Sequence, residues 1–161
     1  MSAIYVDADA CPVREEVYRV AGRYDVPVFV VSNGSRPIAP PGLANVRLIL
    51  VAEGADQADD WIAERIAAAD VCVTADIPLA SRCLAKGAGA LSPAGRPWTR
   101  DNIGNALAGR EVARHLREMG LGSKGPPPFT RADKSRFLGA LDAALRTLQR
   151  RQEYLASIRT P

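Results

Sequence analysis

At 161 residues, 47% of them hydrophobic and 24% charged, the chain suits one globular domain with a full core and does not require a second. No apolar run approaches the length of a membrane span, and the N-terminus lacks the basic flank and long apolar stretch of a signal peptide, so a cytoplasmic protein without membrane attachment is expected. Net charge is only +3 but unevenly spread: residues 1–119 carry 13 Lys and Arg against 15 Asp and Glu, whereas residues 120–161 carry 8 against 3. An acidic body beside a basic C-terminal part suits a polyanionic partner held with the help of a metal, although a merely solvated basic helix has the same composition.

The first predicted element is the stretch Ile4-Tyr5-Val6-Asp7-Ala8-Asp9-Ala10-Cys11-Pro12. It reads as a buried strand that ends in two carboxylates and passes directly into a helix started by Pro12. Asp9 as a plain helix cap and Asp7 as a strand end is the bland alternative. It explains one acid better than two, because paired carboxylates repel unless a cation or a proton intervenes. The three cysteines, Cys11, Cys72 and Cys83, lack C-x-x-C spacing, which argues against a disulfide framework and a zinc site. Cys11 stands near a helix start, where thiols can become acidic, but a phosphate-loop cysteine would want an arginine where Val17 stands, and packing is the favoured role. The single histidine, His115, lies among Arg114 and Arg117, so histidine-based triads are not expected.

Val13, Val17, Val20, Ala21 and Tyr24 recur at helical spacing, and residues 27–32 form the next apolar strand. Asn33-Gly34 and the proline-rich residues 37–42 mark a loop, and residues 46–51 are a third strand. Residues 54–70 are predicted as a helix with Asp56, Asp59 and Asp60 in its first turns, where the helix dipole also favours acids. At about 100° per residue, Asp59 lies roughly 60° from the centre of the apolar face and leans toward the sheet edge, while Asp60 faces water. Residues 71–74 form a fourth strand leading into Thr74-Ala75-Asp76-Ile77-Pro78, a second case of strand, acid and proline-started helix. Acids at two parallel strand ends, with a third on the helix between them, form an all-oxygen set suited to Mg²⁺ or Mn²⁺.

Residues 87–91 supply a short fifth strand, and residues 92–100 a loop whose Arg96 and Arg100 are either phosphate contacts or simply exposed. A helix follows near residues 101–119, and residues 120–128, with three glycines and three prolines, have the composition of a mobile connector. Thr130 and Asp133 stand at capping-box spacing before a last helix whose Phe137, Leu141, Ala144, Leu145 and Leu148 form one apolar face. From Arg150 onward a disordered tail is expected.

Several of these pieces together resemble the YaiI/YqxD family of bacterial proteins with a PIN-like fold. They are Asp7-Ala8-Asp9-Ala10-Cys11-Pro12, Gly54-Ala55-Asp56 with Ala58-Asp59, Thr74 through Ala80, Ala90-Leu91-Ser92-Pro93 with Gly95, and Gly125-Pro126 with Asp133 and Phe137, spread over residues 3–145. The resemblance implies an α/β, three-layer PIN-like domain over residues 1–149, its mainly parallel sheet of four to five strands flanked by helices. The wider PIN-like group implies a metal-dependent nuclease. On that analogy Asp7 and Asp76 bind Mg²⁺ or Mn²⁺, Asp56 or Asp59 completes the site, and Asp9 is a further ligand or orients water. Ser32, Asn33 and Thr74 beside the acids, with Lys124, Lys134 and Arg136, are then candidates for holding nucleic acid, RNA ahead of DNA. An assembly of identical chains is left open.

Two alternatives compete. Asp7-x-Asp9 at the end of a first strand, with Val30-Val31-Ser32-Asn33-Gly34 as a second motif, also looks like a haloacid-dehalogenase-type phosphohydrolase with an Asp nucleophile, although no catalytic lysine stands out. The other is a non-catalytic RNA- or protein-binding module on a PIN-like scaffold, for which an aromatic content of 6% offers little stacking surface.

Overall fold

Strand-forming runs rich in valine and isoleucine alternate with helical segments along most of the chain, and the computed structural model, which describes residues 2–54, 56–120 and 129–159, arranges them in three layers. The strands are β1 (Ile4–Asp7), β2 (Val28–Ser32), β3 (Val46–Leu50), β4 (Val71–Val73), β5 (Gly89–Leu91) and β6 (Pro97–Trp98). The helices are α1 (Arg14–Tyr24), α2 (Gln57–Arg65), α3 (Ile77–Ala85), α4 (Arg100–Glu118) and α5 (Arg131–Arg159), with a 3-10 turn over Ala8–Ala10. All strands join one sheet in the order β3-β2-β1-β4-β5-β6. The first five are parallel, and β6 returns antiparallel to β5. The three-layer, mainly parallel architecture is the one expected. The extra strand, Pro97–Trp98, was hidden because a two-residue strand inside a proline- and glycine-containing loop has no period to detect.

Side chains alternate across the sheet. Ile4, Val6, Val28, Val30, Val71 and Val73 pack against α1 and α5 through Val17, Val20, Phe137, Leu141 and Leu145. Tyr5, Val31 and Cys72 face α2 and α3 through Ile62, Leu79 and Cys83. The capping box at Thr130 and Asp133 forms: the Thr130 amide donates to Asp133 Oδ2 (2.9 Å) and the Asp133 amide to Thr130 Oγ1 (3.2 Å).

Three expectations change. Helix α1 starts at Arg14, not at Pro12, because the 3-10 turn occupies the residues after β1; Val13 becomes the cap. Helix α2 is shorter than residues 54–70, ending where Ile66 turns to extended backbone. Helix α5 continues to Arg159, so the segment after Arg150 is helical to that point, while Thr160 and Pro161 lie outside the described residues. The expected connector falls almost wholly on residues 121–128, which also lie outside them. Among the described residues, no helix is long and apolar enough to cross a membrane.

Candidate active site at the carboxyl edge of the sheet

The strand order reverses at β1. From there the chain adds β2 and β3 on one side, then crosses to add β4 and β5 on the other. At such a switch point the loops leaving adjacent strands diverge and leave a crevice at their carboxyl ends. Val6 lies opposite Val73 in the β1–β4 ladder, so Asp7 and Thr74 come out of the sheet side by side at this crevice.

Thr74 is the hub. Its buried hydroxyl donates to Asp7 Oδ2 (2.8 Å) and accepts from the Asp76 amide (2.9 Å). Asp76 caps α3, with Oδ1 accepting from the Leu79 amide (2.9 Å) and Pro78 in the first turn, so the capping reading holds for this acid alongside its place in the site. Asp9 caps nothing. The 3-10 turn carries it across to β2, where Oδ1 accepts from Ser32 Oγ (2.7 Å) and Oδ2 from the Asn33 amide (3.2 Å). Asp7 and Asp76 each keep one oxygen free of these bonds.

Asp7, Asp9, Asp59 and Asp76 line one cleft of about 220 Å³ with Asn33, Ala58 and Ala75. Among the described residues, no lysine, arginine or histidine shares its walls. Burial pushes the Asp7 carboxyl above its usual range, and the charges of Asp76 and Asp9 add to this against the opposing Thr74 hydrogen bond. Asp59 is pushed up to about 7, first by burial, then by the charges of Asp76, Asp7 and Asp56 and by a hydrogen bond to Asp76 that favours its neutral form.

The other candidates fall elsewhere. Asp56 precedes α2, exposed and off the cleft wall, and acts on the site only through its charge on Asp59. Asp60 is paired with Arg82 at 2.8 Å on the outer face, as its helical angle implied. Ser32 and Thr74 are buried behind the carboxylates and orient them, which places them as positioning residues instead of substrate contacts. Asn33 lines the cleft, although its Oδ1 accepts from the Ser35 amide. Lys134 reaches Glu16 at 3.9 Å, and Arg136 pairs with Asp133 at 3.0 Å and donates to the Ala94 carbonyl, so both are engaged within the fold. Lys124 lies outside the described residues. Cys11 is buried and its thiol is pushed up to about 11, mainly by burial, which leaves it a packing group. Two residues that sequence reasoning passed over, Arg14 and Arg36, border Asp9 from a second cleft; nothing in their local pattern marks them.

The donor set can be tested against a divalent cation. Four hard oxygen donors in a cleft without a countercharge, two of them driven toward the neutral form, have the chemistry that Mg²⁺ or Mn²⁺ satisfies. Among the described residues, however, no group of three or more His, Cys, Asp or Glu side chains is placed so that it could hold a metal ion. The fit is one of chemistry and shared position.

Comparison with known proteins bears on the same residues. Residues 5–147 match the family described as "Uncharacterized BCR, YaiI/YqxD family". The chain belongs to the YaiI/YqxD family. Relatives of this family member include a UPF0178 protein of Paramagnetospirillum magneticum, 51% identical over 93% of this chain and 98% of the relative. Others are a UPF0178 protein of Parvibaculum lavamentivorans, 50% identical over 94% and 98%, and one of Rhodospirillum centenum, 50% identical over 93% and 99%. No solved structure matches the chain. The relatives' names state no activity, so for this YaiI/YqxD protein activity has to be argued from the cleft.

Proposed function

We propose that the chain hydrolyses nucleic-acid phosphodiesters with the help of a divalent cation at the Asp7, Asp9, Asp59 and Asp76 cleft. The observation that carries this reading is the gathering of four carboxylates on one cleft at the switch point, with no basic side chain of the described residues among its walls. Such a cluster supports phosphate chemistry only when a cation offsets its charge. Asp7 and Asp76 would hold Mg²⁺ or Mn²⁺, with Asp59 and Asp9 as the remaining donors. The bound ion would supply charge relief for the phosphate and a more acidic water. The chain's own part is preorganisation: Thr74 fixes Asp7 against Asp76, Ser32 and Asn33 fix Asp9, and Ala58 and Ala75 complete the cleft walls. RNA is the favoured substrate.

The test is cleavage of labelled single- and double-stranded RNA and DNA with Mn²⁺, Mg²⁺ or chelator, comparing wild type with Asp7→Asn. The expected result is metal-dependent cleavage, reduced at least about 100-fold in Asp7→Asn. If neither protein cuts any strand, the nuclease reading falls. Hydrolysis of a phosphomonoester through a trapped aspartyl-phosphate on Asp7 would replace it by the phosphohydrolase alternative, and cation binding without turnover by the binding-module one.

A further inference from the structure

Asp9 stands in the wall of two clefts at once. Besides the acidic one, it borders a second cleft of about 470 Å³ whose other walls are Cys11, Pro12 and Arg14 on one side and Arg36, Pro37 and Ile38 on the other. Ile38 packs against the main core, which anchors the loop that carries Arg36. Arg82, Arg114, Arg136 and Arg146 each pair with a carboxylate within 3.0 Å, whereas among the described residues neither Arg14 nor Arg36 is in an ion pair. Helix α1 also begins here without a side-chain cap. Two guanidinium groups against the single carboxylate of Asp9, whose oxygens already accept from Ser32 and Asn33, leave this concavity with a net positive charge, a setting for an oxyanion bound through charge-assisted hydrogen bonds.

The two neighbouring clefts have opposite charge. A lone phosphate group is drawn to the arginine cleft and repelled by the acids, whereas a chain carrying successive phosphates can offer one to each. We infer that the Arg14–Arg36 cleft binds a backbone phosphate of a nucleic-acid strand adjacent to the one at the acid cleft, so that the substrate is an oligonucleotide chain and not a mononucleotide. This rests on the phosphodiesterase reading for the reacting phosphate, but the binding step itself needs no turnover.

The experiment is binding of short labelled single strands, RNA and DNA of one sequence, to the full chain in chelator over a range of salt. Wild type is compared with Arg14→Gln/Arg36→Gln, with Arg36→Gln alone as an exposed-loop change that does not threaten folding, and with Arg110→Gln/Arg117→Gln on exposed α4 as an equal change of charge. Circular dichroism checks each fold. The expected result is a loss of about tenfold in affinity for both strands in the double cleft variant, a smaller loss in Arg36→Gln, and a slope of log K against log salt reduced by about 0.7, the value for one single-strand phosphate. An equal loss in the α4 variant would mean diffuse attraction and would overturn the site. So would a wild type that binds neither strand. A loss confined to RNA would overturn the phosphate assignment in favour of the 2′-hydroxyl. Arginine-dependent binding by a wild type that cleaves nothing keeps this inference and sinks the nuclease reading. Asp7-dependent cleavage with an unchanged KM in the cleft variant does the reverse.

Discussion

Asp59 is the side chain whose environment is most at odds with its charge. Its carboxyl, raised from 3.8 to about 7, binds a proton in the folded chain over a pH range where the unfolded chain has already lost it. Stability from this group is therefore present at acid pH and is lost as pH rises through the folded value. Asp59→Asn should match wild type in Tm near pH 4 and exceed it above pH 7. Solvent screening at a partly exposed group brings the gain to about 1 kcal/mol, or about 3 °C, followed by thermal unfolding across pH. A variant that is less stable at pH 8 would show that Asp59 is held ionised in the folded chain. Thr74 works in the opposite sense. One buried hydroxyl satisfies both Asp7 and the Asp76 amide, so the two strand-end acids are held by a single side chain.

At the scale of elements, the contact between the β5–β6 turn and α5 sets how the last helix lies over the sheet. Gly95 has a φ of +87°, and a Cβ built there would come within 2.7 Å of the Arg136 carbonyl carbon and 2.8 Å of the Phe137 nitrogen. Both the left-handed backbone and the close approach of α5 exclude a side chain. Phe137, next to the contact, is fully buried against the main core. Gly95→Ala should lower stability by about 2 to 4 kcal/mol, combining backbone strain with overpacking. Gly109→Ala, in α4 with nothing near its added methyl, should raise it by about 0.5 to 1 kcal/mol. Denaturant unfolding of the two variants checks both. Equal effects would mean that α5 is not seated by this turn.

Over the whole molecule, the sheet order brings segments far apart in the chain to one edge: Asp7 at the end of β1 with Asp9 just beyond it, Asn33 after β2, Asp59 in α2 and Asp76 after β4. A cation that bound only the folded form would offset this concentration of negative charge and stabilise the fold by mass action. With Mg²⁺ or Mn²⁺ at about 100 times Kd, the gain is about 2.7 kcal/mol, or roughly 5 to 10 °C in Tm. Wild type should show a saturable rise of this size and Asp7→Asn little or none, measured in the same metal titration. An equal rise in both proteins would place cation binding elsewhere and remove the acid cleft from consideration as its site.

The sequence by itself determined the elements and the composition of the site. Valine-rich runs of strand length, the 3.6-residue face of α5, the Thr130–Asp133 box and the Asp76-Ile77-Pro78 helix start are local signals, set by side-chain period and backbone chemistry within a few residues, and each forms as its pattern implies. The angular position of Asp59, toward the sheet edge and away from Asp60, was legible for the same reason. Only the tertiary structure decided what those acids do to one another. That Asp9 turns to Ser32 instead of capping α1, that Lys134 is taken up by Glu16, and that Arg14 meets Arg36 across a cleft all follow from strand order and from segments packed together across 22 or more residues of chain. No local period encodes such meetings, because they are settled by which strands pair and by the burial that pairing imposes.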